Sequence, residues 1–167
     1  QALNAATAIV AAESFLGTAL TEDALREALA GATSPGRLEV VSRHPLVVLD
    51  GAHNPDAARA LAEALPEAFV WDRLHLVIGV LETKDVAGIV GALAPLVARA
   101  HAARNSNPRT LSTERMTEAC RAAGIEDVEA HPSVAAAVEA ARAEAGEDDL
   151  ILVTGSLYTV ADARPPA

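Results

Sequence analysis

The sequence predicts an α/β fold: a mostly parallel sheet with helices on both faces, preceded by a short helical segment. The continuous apolar run at residues 46–49 and the segments 74–80 and 150–153 read as buried strands. Between the strand segments lie four stretches with apolar residues at i, i+3, i+4 and i+7, the spacing of an amphipathic helix. Strands that alternate with helices in this way build a parallel sheet with helical cover.

The elements follow in order. Residues 2–14 are Ala-rich, with Leu3, Ile9 and Val10 as apolar points, and read as a helix. Thr21 offers an N-cap oxygen to a second helix, with Glu22 and Asp23 at its positive end. Gly31 closes that helix, and Ala32-Thr33-Ser34-Pro35-Gly36 reads as a linker. The expected organisation is a helical segment at 1–30, a linker at 31–36 and an α/β domain at 37–167. Residues 38–41 predict a short strand, and weaker strands are predicted near 97–103 and 128–130. The helical faces are Ala58/Leu61/Ala62/Leu65, Val86/Ile89/Val90/Leu93, Met116/Ala119/Cys120/Ala123 and Val134/Ala137/Val138/Ala141. Pro66, Pro95, Gly124 and Gly146 stand near their ends as helix stops.

Composition narrows the functional classes. A length of 167 residues suits one domain with a short appendage, large enough for a core without disulfides. The single Cys120 fits a reducing cytosol. A net charge of -10 argues against a nucleic-acid surface or an anionic-membrane binder, both of which need basic stripes. No apolar run approaches the roughly 20 residues of a membrane-spanning helix. A chain that opens at Gln1 rather than Met is expected to be a piece of a longer protein. Ala supplies about a quarter of the residues and Lys84 is the only Lys, which reflects a coding bias.

In an open α/β sheet, ligands bind at the carboxyl ends of the strands. The segments there are residues 50–55, 81–85, 104–110 and 154–156. In the first, an apolar run ends in Asp50, Gly51 permits a tight turn, and Asn54-Pro55 makes an N-cap followed by Pro at the first helical position. Asp50 and His53 therefore project above the sheet beside a helix N-terminus, where free N–H groups favour an anion. A well-made strand-to-helix turn needs neither the Asp nor the His. Ser156 reaches the same rim, although a Ser after a Gly also serves as a plain turn or cap. Lys84 and Arg109 lie in neighbouring loops, where a solvated cation is the simpler account of each. A hydrolase triad of Asp50, His53 and Ser156 is disfavoured, because Tyr158 stands where the nucleophile elbow requires Gly. The five His residues show no zinc-like spacing with one another or with Cys120, and no metal site is expected. Neither a dinucleotide G-x-G-x-x-G after a strand nor a P-loop is present.

Taken together, Gln1-Ala2-Leu3-Asn4-Ala5-Ala6, Pro35-Gly36-Arg37-Leu38-Glu39, Asp50-Gly51-Ala52-His53-Asn54-Pro55 and Thr154-Gly155-Ser156-Leu157-Tyr158 carry a resemblance. The chain resembles the C-terminal part of the folylpolyglutamate synthase/dihydrofolate synthase family, within the Mur ligase superfamily. That resemblance implies a Rossmann-like domain of an ATP- and Mg2+-dependent ligase that joins L-glutamate to folate or dihydropteroate through an acyl phosphate. It also implies an N-terminal ATPase domain in cis that carries the P-loop and most magnesium ligands, with residues 1–30 as the tail of that domain. Carried over by position, Asn4, Arg37 and Asp50 match nucleotide contacts, and His53 and Ser156 match residues around the incoming glutamate. His53 and Asp50 are the expected catalytic pair. Thr83 departs from the family, which often has Asp there. The alternatives are a cell-wall Mur ligase domain and a free-standing α/β domain that binds a small anion without catalysis. Covalent labelling of Ser156 by a fluorophosphonate would instead point to the hydrolase.

Overall fold

A computed structural model describes residues 2–32 and 34–164, leaving aside the side chains of residues 2 and 3. Gln1 of the first motif, Thr33 of the expected linker and residues 165–167 lie outside the described residues. The chain divides into two compact units, Gln1–Pro35 and Gly36–Ala167.

The first unit is a pair of helices, α1 (Ala2–Leu16) and α2 (Glu22–Gly31). Thr21 caps α2 by accepting a hydrogen bond from Ala24 N–H, as its sequence position predicts. Gly17, at φ 68°, ends α1 in the left-handed region that glycine adopts at little cost.

The second unit is a six-stranded sheet in the order β1-β2-β6-β3-β4-β5. Its strands are β1 (Glu39–Arg43), β2 (Leu46–Leu49), β3 (Leu74–Ile78), β4 (Arg99–Ala103), β5 (Val128–His131) and β6 (Leu150–Thr154). Strands β2, β6, β3, β4 and β5 run parallel, while β1 folds back on β2 as an antiparallel edge hairpin. Five helices surround it: α3 (Pro55–Ala68), α4 (Val86–Leu93), α5 (Thr113–Ala122), α6 (Val134–Glu144) and α7 (Leu157–Asp162). Successive strand residues point to opposite faces. Val48, Leu76, Ile78 and Leu152 therefore meet Leu61, Leu65, Ile89, Leu93, Met116 and Cys120 of α3, α4 and α5. Val47, Leu49, Val77, Ile151 and Val153 meet Val134, Ala137, Ala141 and Val160 of α6 and α7. Each fully buried Leu or Ile contributes about 1.5–3 kcal/mol. Burial pushes the Cys120 thiol up to about 11, as befits a core side chain.

The helices start where the sequence places oxygen-bearing caps. Asn54, Asp85, Ser112, Ser133 and Ser156 each accept a backbone N–H at the head of α3 to α7, worth about 1 kcal/mol apiece. Several boundaries differ from expectation. The first strand is Glu39–Arg43 rather than 38–41, because Leu38 adopts φ 45° and cannot continue a strand. Strand β4 starts only at Arg99, since Ala94–Leu96 form a 3-10 turn around Pro95. Pro66 lies inside the last turn of α3 instead of ending it; the helix closes through Phe69 N–H on the Leu65 carbonyl. The six-residue α7 had no periodic signal to predict it.

One polar layer interrupts the face covered by α6. His75, His101 and His131 come from three adjacent strands and are all buried. The His75 and His101 rings stack with centroids 5.9 Å apart, and His101 Nδ1 lies 3.1 Å from His131 Nε2. Burial, reinforced by the charges of His131, His75 and Arg99 and opposed by Glu129, pulls His101 down to about 4. The Glu144 carboxylate lies 3.8 Å from its Nε2. An unfolded chain takes up this proton near the ordinary value of about 6.5. Between these two values the unfolded state binds more protons, so stability falls as pH drops through that window. Thermal unfolding in chelator-treated buffer should show the midpoint declining from pH 7 to pH 4, with a flatter profile for His101→Asn.

Candidate active site

Parallel strands end together, so the carboxyl ends of β2, β6, β3 and β4 bring four loops to one edge. Backbone hydrogen bonds join these loops. Gly155 N–H donates to the Ala52 carbonyl at 3.1 Å, and Gly79 N–H to the Thr154 carbonyl at 3.4 Å. Glu82 N–H donates to the Arg109 carbonyl at 3.0 Å, and Leu111 N–H to that of Val80 at 2.8 Å. The segments 50–55 and 154–156 are thus adjacent, as the sequence predicts.

Asp50 follows the last residue of β2, and its two oxygens are divided between two turns. One accepts Ala52 N–H and the other Leu38 N–H, both at 2.9 Å. The second bond holds the crossing segment Gly36-Arg37-Leu38, which Gly51 N–H also grips through the Gly36 carbonyl at 2.7 Å. Burial pushes the Asp50 carboxyl up, against the opposing pull of the Leu38 and Ala52 amides and the Arg37 charge. Arg37 is exposed on that turn, flanked by Gly36 at φ 73° and Leu38 at φ 45°. Gly36 takes this conformation at little cost, whereas Leu38 is strained there, and Asp50 holds it through the Leu38 N–H.

His53 is exposed at the mouth of α3. Its Nδ1 lies 2.8 Å from the Gly51 carbonyl, which can only accept, so Nδ1 carries the proton and Nε2 is left for a ligand. Ser156 sits at the head of α7, 4% exposed, with its oxygen accepting Tyr158 N–H at 3.2 Å. Among the described residues no hydrogen bond joins Ser156 to a His; its oxygen serves as the cap of α7. Lys84 is half-buried and Arg109 exposed in the neighbouring loops. Asn4 is exposed on α1, in the other compact unit.

Sequence reasoning missed the side chains that lock the edge together. Asn105 is buried after β4 and donates through Nδ2 to Thr159 Oγ1 at 3.0 Å and to the Gly79 carbonyl at 3.5 Å. Thr159 Oγ1 donates to the same carbonyl at 2.6 Å. Asn105 Oδ1 accepts Asn107 N–H, and Asn107 Oδ1 accepts Arg109 N–H, which shapes the loop 104–110. Asn105 lies in a loop already placed at the rim, but nothing in sequence links it to Thr159, 54 residues away.

A mostly parallel sheet with a polar, loop-built carboxyl edge beside helix N-termini defines a Rossmann-like ligand-binding domain. Residues 36–157 match the family model of the Mur ligase, glutamate ligase domain. The chain is 44% identical over 148 residues to a probable bifunctional folylpolyglutamate synthase/dihydropteroate synthase of Haloferax volcanii, covering 85% of this chain and 17% of that one. Escherichia coli FolC, solved in complex with DHPP and ADP, superimposes with a TM-score of 0.85 at 38% identity, over 95% of this chain and 37% of that one. A bifunctional folylpolyglutamate synthase/dihydrofolate synthase solved with Mn, AMPPNP and L-glutamate bound gives 0.77 at 34% identity, over 85% and 34%. The chain belongs to the Mur ligase glutamate ligase domain family, in its folylpolyglutamate synthase/dihydrofolate synthase branch. It spans well under half the length of these relatives.

The close approach of the loops sets a steric test. Gly155 has φ 103°, and a Cβ there would stand 2.8 Å from both the Gly79 carbonyl oxygen and Val80 Cγ2. Gly155→Ala should therefore cost about 1–3 kcal/mol in chemical denaturation. Gly124→Ala, at φ 91° but in open space, should cost less.

Proposed function

We propose that this chain is the C-terminal part of an ATP-dependent ligase that joins L-glutamate to folate, to dihydropteroate, or to both. In this reading the α/β unit closes over ATP and presents glutamate, and an N-terminal ATPase domain in cis carries the phosphate-binding loop. ATP would supply the phosphoryl group that activates the carboxylate of the pterin substrate as an acyl phosphate, with release of ADP, and attack by the glutamate α-amine would expel inorganic phosphate as the amide forms. One observation carries the proposal: the loop Asp50–Pro55, joined to the Arg37 turn and the Ser156 loop, forms the rim of a domain whose relatives were solved with ADP, AMPPNP and L-glutamate.

The residues fit these roles. Arg37 presents a planar guanidinium suited to bidentate pairing with phosphate, and Asp50 holds its turn while adding acceptor oxygens on the nucleotide side. Asn4 of α1 is the third nucleotide contact. His53 uses Nδ1 on the Gly51 carbonyl and turns Nε2 to the ligand. Beside the N–H groups of α3, it orients glutamate and stabilises the acyl phosphate and the oxyanion that follows. Ser156 borders the glutamate while capping α7.

Magnesium accompanies ATP in this proposal, and a relative was solved with Mn. In this chain Asp50 gives one lone pair of each oxygen to a backbone amide, and one oxygen of Asp85 accepts Gly88 N–H. In this reading most of the metal ligands belong to the ATPase domain. No described helix is long and apolar enough to cross a membrane. With its single buried thiol, the enzyme is assigned to the cytoplasm.

In the intact enzyme, His53→Ala should lower turnover by about 100-fold or more while ADP affinity, read by calorimetry, stays near normal. Unchanged turnover would remove His53 from the mechanism. Arg37→Lys should weaken nucleotide binding and leave the glutamate KM unchanged, because an ammonium cannot reproduce the forked contact.

A further inference from the structure

The buried histidine layer has no part in this chemistry, and its hydrogen bonding is incomplete. His75 Nε2 lies 3.3 Å from Asp149 Oδ2, and a carboxylate only accepts, so Nε2 carries the proton and Nδ1 is bare. His101 Nδ1 and His131 Nε2 share one hydrogen bond, and in the tautomer with His101 Nδ1 as donor its own Nε2 is bare and free to ligate. These two bare nitrogens, His75 Nδ1 and His101 Nε2, are fully buried and have no hydrogen-bond partner. Leaving such an acceptor dry and unpaired costs about 1–3 kcal/mol, and here two occur on adjacent strands.

A carboxylate completes the group. Glu144, the last residue of α6, brings Oε2 to 3.8 Å from His101 Nε2. That separation is near the edge of about 3.4 Å expected of a tetrahedron with bonds near 2.1 Å. One ligand atom from each of His75, His101 and Glu144 lies within 4.8 Å of the others. Both imidazoles also have the supporting partner that metal-bound histidines use, Asp149 behind His75 and His131 behind His101. The charge balance favours a cation. Arg99 approaches Glu144 at 2.8 Å, but it is also held by Asp127 and Glu129, so three carboxylates surround one guanidinium. The Glu144 side chain is 36% exposed, so its carboxylate reaches solvent.

We propose that His75 Nδ1, His101 Nε2 and Glu144 bind a divalent transition-metal ion of the zinc class, with water as the fourth ligand. Its place is structural. His75 lies at the amino end of β3, and Asp149 just precedes β6, so the ion stands at the end of the sheet opposite the Asp50–His53 rim. It ties β3 and β4 to the C-terminus of α6.

Metal-free chain, prepared by dialysis against chelator, is titrated with Co2+ alone and, separately, with Zn2+ alone. The expected result is one equivalent of Co2+ with the visible bands of a four-coordinate site, and a thermal midpoint raised by Zn2+. Glu144→Gln changes a surface-reaching carboxylate and leaves the core intact, so it should fold and bind at least 10-fold more weakly. Glu129→Gln, which removes the carboxylate of the neighbouring His101–Glu129–His131 group, should retain binding. Absence of stoichiometric binding by the folded chain, or equal affinity in Glu144→Gln, overturns the proposal. Loss in Glu129→Gln with retention in Glu144→Gln overturns it as well.

Discussion

The structure depends on how closely the strand ends can approach one another at the carboxyl edge. Gly155 and Gly79 lie back to back: a Cβ on Gly155 would meet the Gly79 carbonyl, and one on Gly79 would meet the Ala103 carbonyl and Thr159 Oγ1. Only bare backbone fits between β6, β3 and β4 at this level. The space that side chains would occupy goes instead to hydrogen bonds that tie each loop to the next. Asn105 and Thr159 complete that set from inside, both buried and both aimed at the Gly79 carbonyl.

From this edge the site residues inherit their positions. Asp50 is held by its backbone on Val153 and holds the Arg37 turn with its side chain. His53 is oriented by a carbonyl two residues back in the same turn, and Asn54 starts α3 beside it. Ser156 is positioned because Gly155 adopts a left-handed conformation that turns the chain directly into α7. The loops that carry Asp50 and Ser156 therefore rest on backbone contacts with neighbouring segments, so the shape of this rim comes from the sheet.

The two faces of the sheet are unequal. The α3–α4–α5 face is mostly apolar, with Leu and Ile of β3 and β6 and Ala of β4 packed against Leu, Ile, Val and Met of the helices. The α6 face is lined mostly by Ala and Val, and it carries the histidine layer and its surrounding carboxylates. Small residues on α6 bring that helix close to the strands, and the imidazoles occupy volume that large aliphatic side chains fill on the other face. Bare ring nitrogens are a costly way to fill space, which is why the layer reads as a site rather than as packing.

The sequence by itself determined the alternation of strands and helices, because apolar periodicity and oxygen caps are local properties written in neighbouring residues. It also placed Asp50, His53, Lys84, Arg109 and Ser156 at strand ends, since a parallel sheet sends every βα loop to one edge. The Asp-Gly-Ala-His-Asn-Pro run carried the family. Three features needed the tertiary structure. The partnership of Asn105 with Thr159 spans separate loops, the double use of Asp50 depends on a segment crossing from residue 36, and α7 is too short for a periodic signal. The histidines show the limit most clearly. Residues 75, 101 and 131 are 26 and 30 positions apart, with no ligand-like spacing, yet strand order makes them neighbours. Local sequence encodes what a segment becomes; which segments lie side by side is decided by the order in which the strands pack.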